Sequence, residues 1–457
     1  MRQAQAYELA FRLDTESAKT LVGTQLPVDL YITSLAETIE LLVTERDELF
    51  NLYEKHFFER QEKRQKYVSA EDIFLQAEIH LHWAFVYLKF GHEFDAAMTL
   101  RKAYRIAESC KKEYPDFLPI RKTSGLLQIM IGSVPDKYSW ILSLFGMQGS
   151  VEAGLADLRR ISETDSPMAF EAKLLLALLK GFIFQQPEKA MPEISLLLSS
   201  HPKHKLLLFL ASSIAVKNFE SEQAEKWLDQ HADITNGLPL HYRHYLHGEV
   251  LLHKGDYSAA INAYENFLRR YKGNNYIKDS NYKIAVCHYL AGNREEALKQ
   301  FEVAQTAGIE NTEADRFAAR AMAQTELPNI PLSKIRYFTD GGYYDKARDV
   351  IDQYAANDFA TKHDRVEYHY RKARLAHKQG KSDESKQLYE KTISEAGDET
   401  WYFAPNASLQ LGYIYLGEGN ETVAVRYFEK AIAYRKHAYK NSIDSKARSA
   451  LDQIKRK

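Results

Sequence analysis

Along this chain a small residue is followed, four positions later, by a large apolar one, and the pair recurs from end to end. The pairs are Ala18/Val22, Ala96/Leu100, Gly154/Leu158, Ala190/Ile194, Ala224/Leu228, Ala260/Tyr264, Ala297/Phe301, Ala347/Ile351, Ser385/Tyr389 and Ala424/Phe428. From Gly154 to Ala297 successive small residues stand 36, 34, 36 and 37 apart, and the steps from Ala347 to Ser385 to Ala424 are 38 and 39. A spacing of four puts both members on one face of a helix. Self-similarity at this period marks stacked units that each pack on their neighbours. The pattern predicts an all-α chain, an α-solenoid.

One unit, Tyr242 to Tyr271, shows the device clearly. Tyr245, Gly248 and Leu251 line a first helix, and Gly255-Asp256 ends it, glycine suiting a left-handed helix end and aspartate the next cap. Tyr257, Ala260, Ala263, Tyr264, Phe267 and Leu268 mark an amphipathic second helix. Ala260 must be small because two helices cross there, and Tyr264 fills the groove one turn on. Glycine stands five positions before the small residue at Gly91, Gly149, Gly255, Gly292, Gly342, Gly380 and Gly419. A second small residue stands twelve before it at Ala84, Ser212, Gly248, Ala285, Ala373 and Gly412. These offsets resemble the tetratricopeptide repeat, a helix-turn-helix unit of about 34 residues. The resemblance implies a right-handed superhelix of about nine to ten such pairs, with first helices lining a concave groove.

Three steps are too long for one pair: Ala18 to Ala96, Ala96 to Gly154 and Ala297 to Ala347. The first holds an expected long helix from Val28 to about Lys66, and Pro328 and Pro331 leave Thr312 to Glu326 as an extra helix in the third. Insertions of this kind kink a solenoid or fold back across its concave face. The chain divides accordingly into an N-terminal helical region with the first full pair (1–115), irregular repeats (116–235), regular pairs (236–310), an inserted helix with the C-terminal pairs (311–434) and a capping helix (435–457). The stretch Gly125-Leu-Leu-Gln-Ile-Met-Ile-Gly-Ser-Val-Pro135, then Trp140-Ile-Leu-Ser-Leu-Phe-Gly146, Gly149 and Gly154-Leu155, resembles a helical-repeat family that includes inclusion-body clearance proteins of the outer mitochondrial membrane. Phe338-Thr-Asp-Gly-Gly-Tyr-Tyr344 fits it too. That resemblance implies an interaction protein without enzymatic chemistry, and it carries no binding residues.

The 457 residues are 45% hydrophobic and 27% charged with a formal net charge of −1. No global field favours nucleic acid or an anionic membrane. Cys110 and Cys287 form neither a disulfide framework nor a metal motif. The most apolar run, Leu174 to Phe184, contains Lys180 and is shorter than the roughly 20 residues a membrane span needs. The N-terminus lacks an apolar signal core, so the expected location is cytoplasmic, the alternative being periplasmic or exported after removal of a signal. There is no Gly-x-Ser-x-Gly, and Gly341-Gly342 is followed by Tyr343-Tyr344 instead of a phosphate-binding Lys-Ser or Lys-Thr. No catalytic residue and no cofactor are expected. His241, His244 and His247, with His253, and the pair His80 and His82 lack carboxylates at ligand spacing and are read as structural or surface histidines, so no metal is expected.

The chain has 29 tyrosines, many on first helices. By offset, Tyr242, Tyr245, Tyr282, Tyr289, Tyr370 and Tyr413 stand one face away from the core spine, exposed in the groove; the alternative is that tyrosine is the core filler of this solenoid. Tyrosine suits contact surfaces through its large rigid area and polar tip. Beside them stand Glu249 and a basic strip, Arg371, Arg374 and Lys378. Glu249 would repel a carboxylate tail, so the expected partner is a protein or an extended, aromatic-rich peptide. Arg435 to Lys457 carries eight Lys/Arg against two Asp. It reads as a cap with Ile443, Ala447, Ala450, Leu451 and Ile454 turned inward. The alternatives are a membrane-associated adaptor using this basic helix and, behind it, a small-molecule binder or hydrolase with a pocket around Gly125 to Gly146. The sequence leaves the oligomeric state unknown.

Overall fold

Small side chains at helix crossings and glycine at turns give the chain its elements. The computed structural model describes residues 1–62, 69–134, 146–323 and 327–456, and among them the backbone is helix and turn without a strand. It forms two compact units: Met1–Val250, Ser258–Cys287 and Glu295–Ala323 in the first, Leu251–Tyr257, His288–Arg294 and Gln324–Lys457 in the second. No helix of the described residues is long and apolar enough to cross a membrane.

The first unit opens with α1 (Arg2–Phe11), α2 (Thr15–Leu21), α3 (Pro27–Thr44) and α4 (Asp47–Glu62). Helix pairs follow: α5 (Ala70–Lys89) with α6 (Glu93–Glu113), α7 (Ile120–Gly132) with α8 (Val151–Ser162), and α9 (Ala169–Leu178) with α10 (Pro187–Ser200). Next come α11 (Lys205–Lys217) with α12 (Ser221–Ala232), α13 (Tyr242–Lys254) with α14 (Tyr257–Arg270), α15 (Ile277–Leu290) with α16 (Arg294–Thr306), and then α17 (Glu313–Met322). The last turns of α13 and α15 count with the second unit. There α18 (Ile330–Gly341) pairs with α19 (Tyr344–Ile351), α20 (Lys362–Lys378) with α21 (Ser382–Ala396), and α22 (Phe403–Gly417) with α23 (Glu421–Ala433), before α24 (Lys440–Arg456). The ten small residues of the sequence pattern are all buried. The second small position has a steric cause: a Cβ on Gly248 would lie 2.6 Å from the Tyr264 ring, and one on Gly412 would lie 2.5 Å from the Phe428 ring. The small residue of each first helix makes room for the aromatic of its second.

The long helix expected from Val28 to Lys66 is not continuous. It breaks between α3 and α4 at Glu45, which adopts a left-handed backbone, φ 50° and ψ 39°, and residues 63–68 lie outside the described part. No glycine or proline announces the break. Its cause is tertiary: the buried Glu45 carboxylate accepts hydrogen bonds from Lys89, from the Tyr242 hydroxyl and from Asn275 Nδ2 at 2.6 Å. The N-terminal helices pack on later ones. Tyr7 Oη donates to Met168 Sδ at 3.9 Å, Phe11 meets Phe170 edge-on at 6.4 Å, Leu238 N–H donates to Leu13 O at 2.7 Å, and Tyr31 stacks on His82 at 6.0 Å. The residues before Ala18 thus pack on α9, and α3, within the first long gap, packs on α5. The extra helix expected over Thr312 to Glu326 is α17, with residues 324–326 outside the described part. At the C-terminus Ile443, Ala447 and Ala450 of α24 are buried against Leu409, Ala424, Phe428 and Ala431.

Candidate partner-binding faces

The residues singled out in the sequence fall into the two units. Tyr242, Tyr245, Glu249 and Tyr282 belong to the first; Tyr289, Tyr370, Arg371, Arg374, Lys378 and Tyr413 belong to the second.

In the first unit the tyrosines are largely absorbed by packing. Tyr245 Oη donates to Asp279 at 2.7 Å, and its ring lies 4.7 Å from that of Tyr276. Glu249 accepts from Tyr264 and Lys283, so the carboxylate expected to repel an anionic partner is already paired. Burial, then the carboxylates of Asp279 and Glu249, push the Tyr245 hydroxyl well above the usual range. Asp315 completes this region: fully buried, it accepts from the backbone N–H of Tyr276 at 2.9 Å and of Asp279 at 3.0 Å, capping α15. Tyr242 is half-buried, its hydroxyl 2.7 Å from that of Tyr271. Tyr282 is buried, its ring between Phe301 and Phe317. The expected exposure fails here because the offset that turns a side chain off the core spine aims it at the neighbouring first helix.

A group that the sequence did not single out lies deeper in the same unit. Lys122 on α7 is 2% exposed and sits between two buried carboxylates, Glu78 of α5 and Glu171 of α9, the latter at 2.9 Å. Thr123 donates to Glu78 as well. One ammonium serves two carboxylates, and they separate. Glu78 stays low against its burial through Lys122, His82 and Thr123, whereas burial pushes Glu171 up to about 8. Burial lowers His82 to about 4. The ions lie about 44 and 49 residues apart, on consecutive first helices, and each reads alone as an ordinary solvated charge.

The second unit keeps an accessible face. Tyr370 is a correction to the expected exposure: it is buried, its ring 5.4 Å from Phe403. Arg371 is buried too, donating to Glu367 at 2.6 and 2.9 Å and to Tyr402 Oη at 3.0 Å. Arg374 is partly exposed and pairs with Asp340 of α18 at 3.1 Å, and Arg336 approaches the same carboxylate at 3.7 Å. Against its burial, Arg374 and Arg336 hold Asp340 low. Burial and Arg374 lower Lys446 of α24. Tyr413, 38% exposed, donates to Lys446 O at 3.4 Å, and Tyr439, 40% exposed, packs against Tyr402 at 5.2 Å. Tyr289 is half-buried and Lys378 exposed. Sequence reasoning missed Arg336, Asp340, Tyr402, Tyr439 and Lys446. The Asp340 segment carried a signal through its glycine-tyrosine motif, and Tyr439 and Lys446 lie in the basic stretch 435–457 that the sequence reads as a cap.

His363, Asp364 and Glu367 at the start of α20 bring ligand-type atoms within 4.8 Å of one another. Glu367 already accepts from Arg371, and Asp364 from His363 at 3.3 Å and Asn329 at 3.4 Å, so these groups are committed to local bonds. The glycine-rich segment also resolves into packing. A Cβ on Gly125 would lie 2.9 Å from Gly154 O, and Gly132 and Gly149 meet in the same way, so α7 and α8 touch backbone to backbone. Residues 135–145, with Trp140, are outside the described part, and so is half of the stretch from Gly125 to Gly146 around which a pocket is expected.

Fold and faces define a helical-repeat protein that presents side chains from stacked first helices. The tetratricopeptide-repeat family matches residues 245–312 and 370–440, which contain regular pairs, and over those residues the chain carries tetratricopeptide repeats. No curated protein matches its sequence. The specific likeness to inclusion-body clearance proteins is not shown. Among solved structures, a human IFIT1 dimer with PPP-AAAA is 16% identical over 93% of this chain and 94% of that one, with a TM-score of 0.34. A tetratricopeptide repeat protein from Parabacteroides merdae is 14% identical over 62% of this chain and 99% of that one, with a TM-score of 0.27. Both likenesses are too loose to transfer a ligand or a partner.

Proposed function

We propose that this protein is a non-enzymatic interaction scaffold, and that the second unit holds an extended segment of a protein partner along the face built by α18, α20, α22 and α24. One observation carries this reading: Arg336, Arg374 and Lys446 gather around Asp340 on that face, above the buried Arg371–Glu367 pair and beside the half-exposed rings of Tyr413 and Tyr439. Stacked repeats form extended binding surfaces, and tyrosine and arginine are the residues on which binding energy concentrates. The side chains are held in place before a partner arrives, which limits the ordering cost of association. The partner segment that suits the face is extended and carries acidic and apolar side chains in alternation. Of the sequence candidates, Arg374, Lys378 and Tyr413 stay in this role, with Arg336, Tyr439 and Lys446 added. Tyr370 and Arg371 support the surface from beneath, whereas Tyr242, Tyr245, Glu249 and Tyr282 are packed within the first unit and have no part in it.

The test is Arg336→Gln with Lys446→Gln. Asp340 keeps Arg374, so the melting temperature should hold within a few degrees. Affinity for a protein recovered on the wild-type chain, remeasured with both partners pure, should fall about tenfold or more. Equal affinity for the variant would remove this face from the reading.

A further inference from the structure

A second surface lies in the first unit, between helices that the repeat logic treats as an outer layer. α4 and α6 both pack on α5: Phe57 stacks on Trp83 at 4.8 Å, and Phe50 stacks on Phe90 and on His92 at 4.7 and 5.0 Å. Those contacts set the start of α4 against the end of α5, so α4 and α6 run alongside each other with a groove of about 400 Å³ between them. Its floor is aromatic, from the buried Phe57 and Tyr87. Its rim is apolar at one end, with Phe58 52% and Met98 38% exposed. Phe94, 73% exposed, stands one turn before Met98 on α6. The other end carries Arg101, Lys102 and Arg105, and Asp95 is the acidic residue among the described lining. Phe94, Met98, Arg101 and Arg105 follow at helical spacing on one face of α6, about 16 Å of helix.

An apolar trough about three turns long with a basic end is complementary to one kind of guest. We propose that this groove docks an amphipathic helix of a partner protein whose apolar ridge is followed by acidic residues. Apolar side chains of the guest bury Phe58 and Met98, and its carboxylates meet Arg101 and Arg105. Helix-in-groove recognition has this form, with anchors one turn apart and charge setting the register. The side chains involved differ from those of the second unit's face, so either site stands without the other.

The test uses a fluorescein-labelled peptide of about 14 residues, with leucine at helical spacing and glutamate at one end, and its counterpart with lysine in place of glutamate. Fluorescence anisotropy should show saturable binding of the glutamate peptide to the full chain, at least about tenfold tighter than the lysine peptide and weakened by salt. Arg101→Glu with Arg105→Glu should invert the preference, and Met98→Asp should weaken both peptides. Circular dichroism of each variant checks that these exposed changes leave the fold intact. Equal binding of the two peptides, or a preference untouched by the charge reversal, overturns the proposal. So does sedimentation showing a wild-type dimer lost in Met98→Asp, which would make a second copy of this chain the occupant.

Discussion

At the scale of single residues the first unit stores charge where a repeat protein normally stores methyl groups. Lys122 with Glu78 and Glu171 is an odd-numbered cluster, and the imbalance predicts two different outcomes for chemically equal substitutions. Glu171, raised to about 8, holds a proton at neutral pH, so Glu171→Gln replaces a neutral acid by a neutral amide and should change stability at pH 7 by less than about 1 kcal/mol. Glu78→Gln leaves the Lys122 ammonium buried without its counter-charge and should cost about 3–5 kcal/mol. The sign of the pH dependence follows. Between the ordinary carboxyl value and about 8 the folded state holds a proton that the unfolded chain has lost, so Glu171 makes stability fall as pH rises through that window. Urea unfolding at pH 5, 6 and 7 should show this component in the wild type and not in Glu171→Gln; parallel curves would refute the assignment. Glycines divide in the same local way. Gly248→Ala forces a Cβ onto the Tyr264 ring and should cost about 1–3 kcal/mol, whereas Gly417→Ala meets nothing within 4 Å and should be neutral or slightly stabilising in thermal melts.

At the scale of elements, what the sequence could announce was whatever a helix decides with neighbours three or four residues away. The paired helices, the turn glycines at Gly255, Gly380 and Gly419 with φ of 82°, 73° and 79°, and α13 with α14 were all legible on that basis. The break at Glu45 was not, because residues 28 to 62 read locally as one helix and the left-handed turn is held by partners 44, 197 and 230 residues away. The exposure of the tyrosines was misjudged for a related reason. Offset fixes direction from the helix axis, but whether Tyr370 meets solvent or Phe403 depends on the next helix. The candidate face of the second unit was half visible: Arg374 and Tyr413 lay on the predicted first helices, while Arg336, Tyr439 and Lys446 come from elements that no repeat offset singled out. Glu45 is therefore the change to make at this scale. Glu45→Ala leaves Lys89, Tyr242 and Asn275 without their shared acceptor and removes the cause of the helix break, and should cost about 3 kcal/mol or more. Limited proteolysis should then cut first around residues 44–47. An Ala variant as stable as one made at the exposed Glu48 would show that the turn stands by itself.

At the scale of the whole molecule a net charge of only −1 hides a strong acid sensitivity. Burial lowers His82, His204 and His244 to about 4 and His231 to about 3 in the first unit, and His377 to about 4 in the second. For each, the unfolded chain binds a proton near pH 6.5 that the folded state refuses until about pH 4 or below. Stability is therefore present in full above 6.5 and lost as pH falls toward 4, by at most about 1.4 kcal/mol per pH unit for each histidine. Glu171 acts in the opposite sense over part of that range, so the slope is cleanest in the Glu171→Gln background. His82, His204 and His231 are the most enclosed, and they lie on α5, beside α11 and on α12, so the loss should register as a falling midpoint of the first unit's unfolding. His231 offers the sharpest control because neither ring nitrogen has a hydrogen-bond partner. His231→Leu removes a titrating group without orphaning another polar atom. In urea melts from pH 7 to pH 4.5 it should flatten the decline by about one proton's worth of slope while changing the midpoint at pH 7 little. An unchanged slope would mean that His231 already takes up its proton in the folded state, and the acid sensitivity would then have to come from the other histidines that burial lowers.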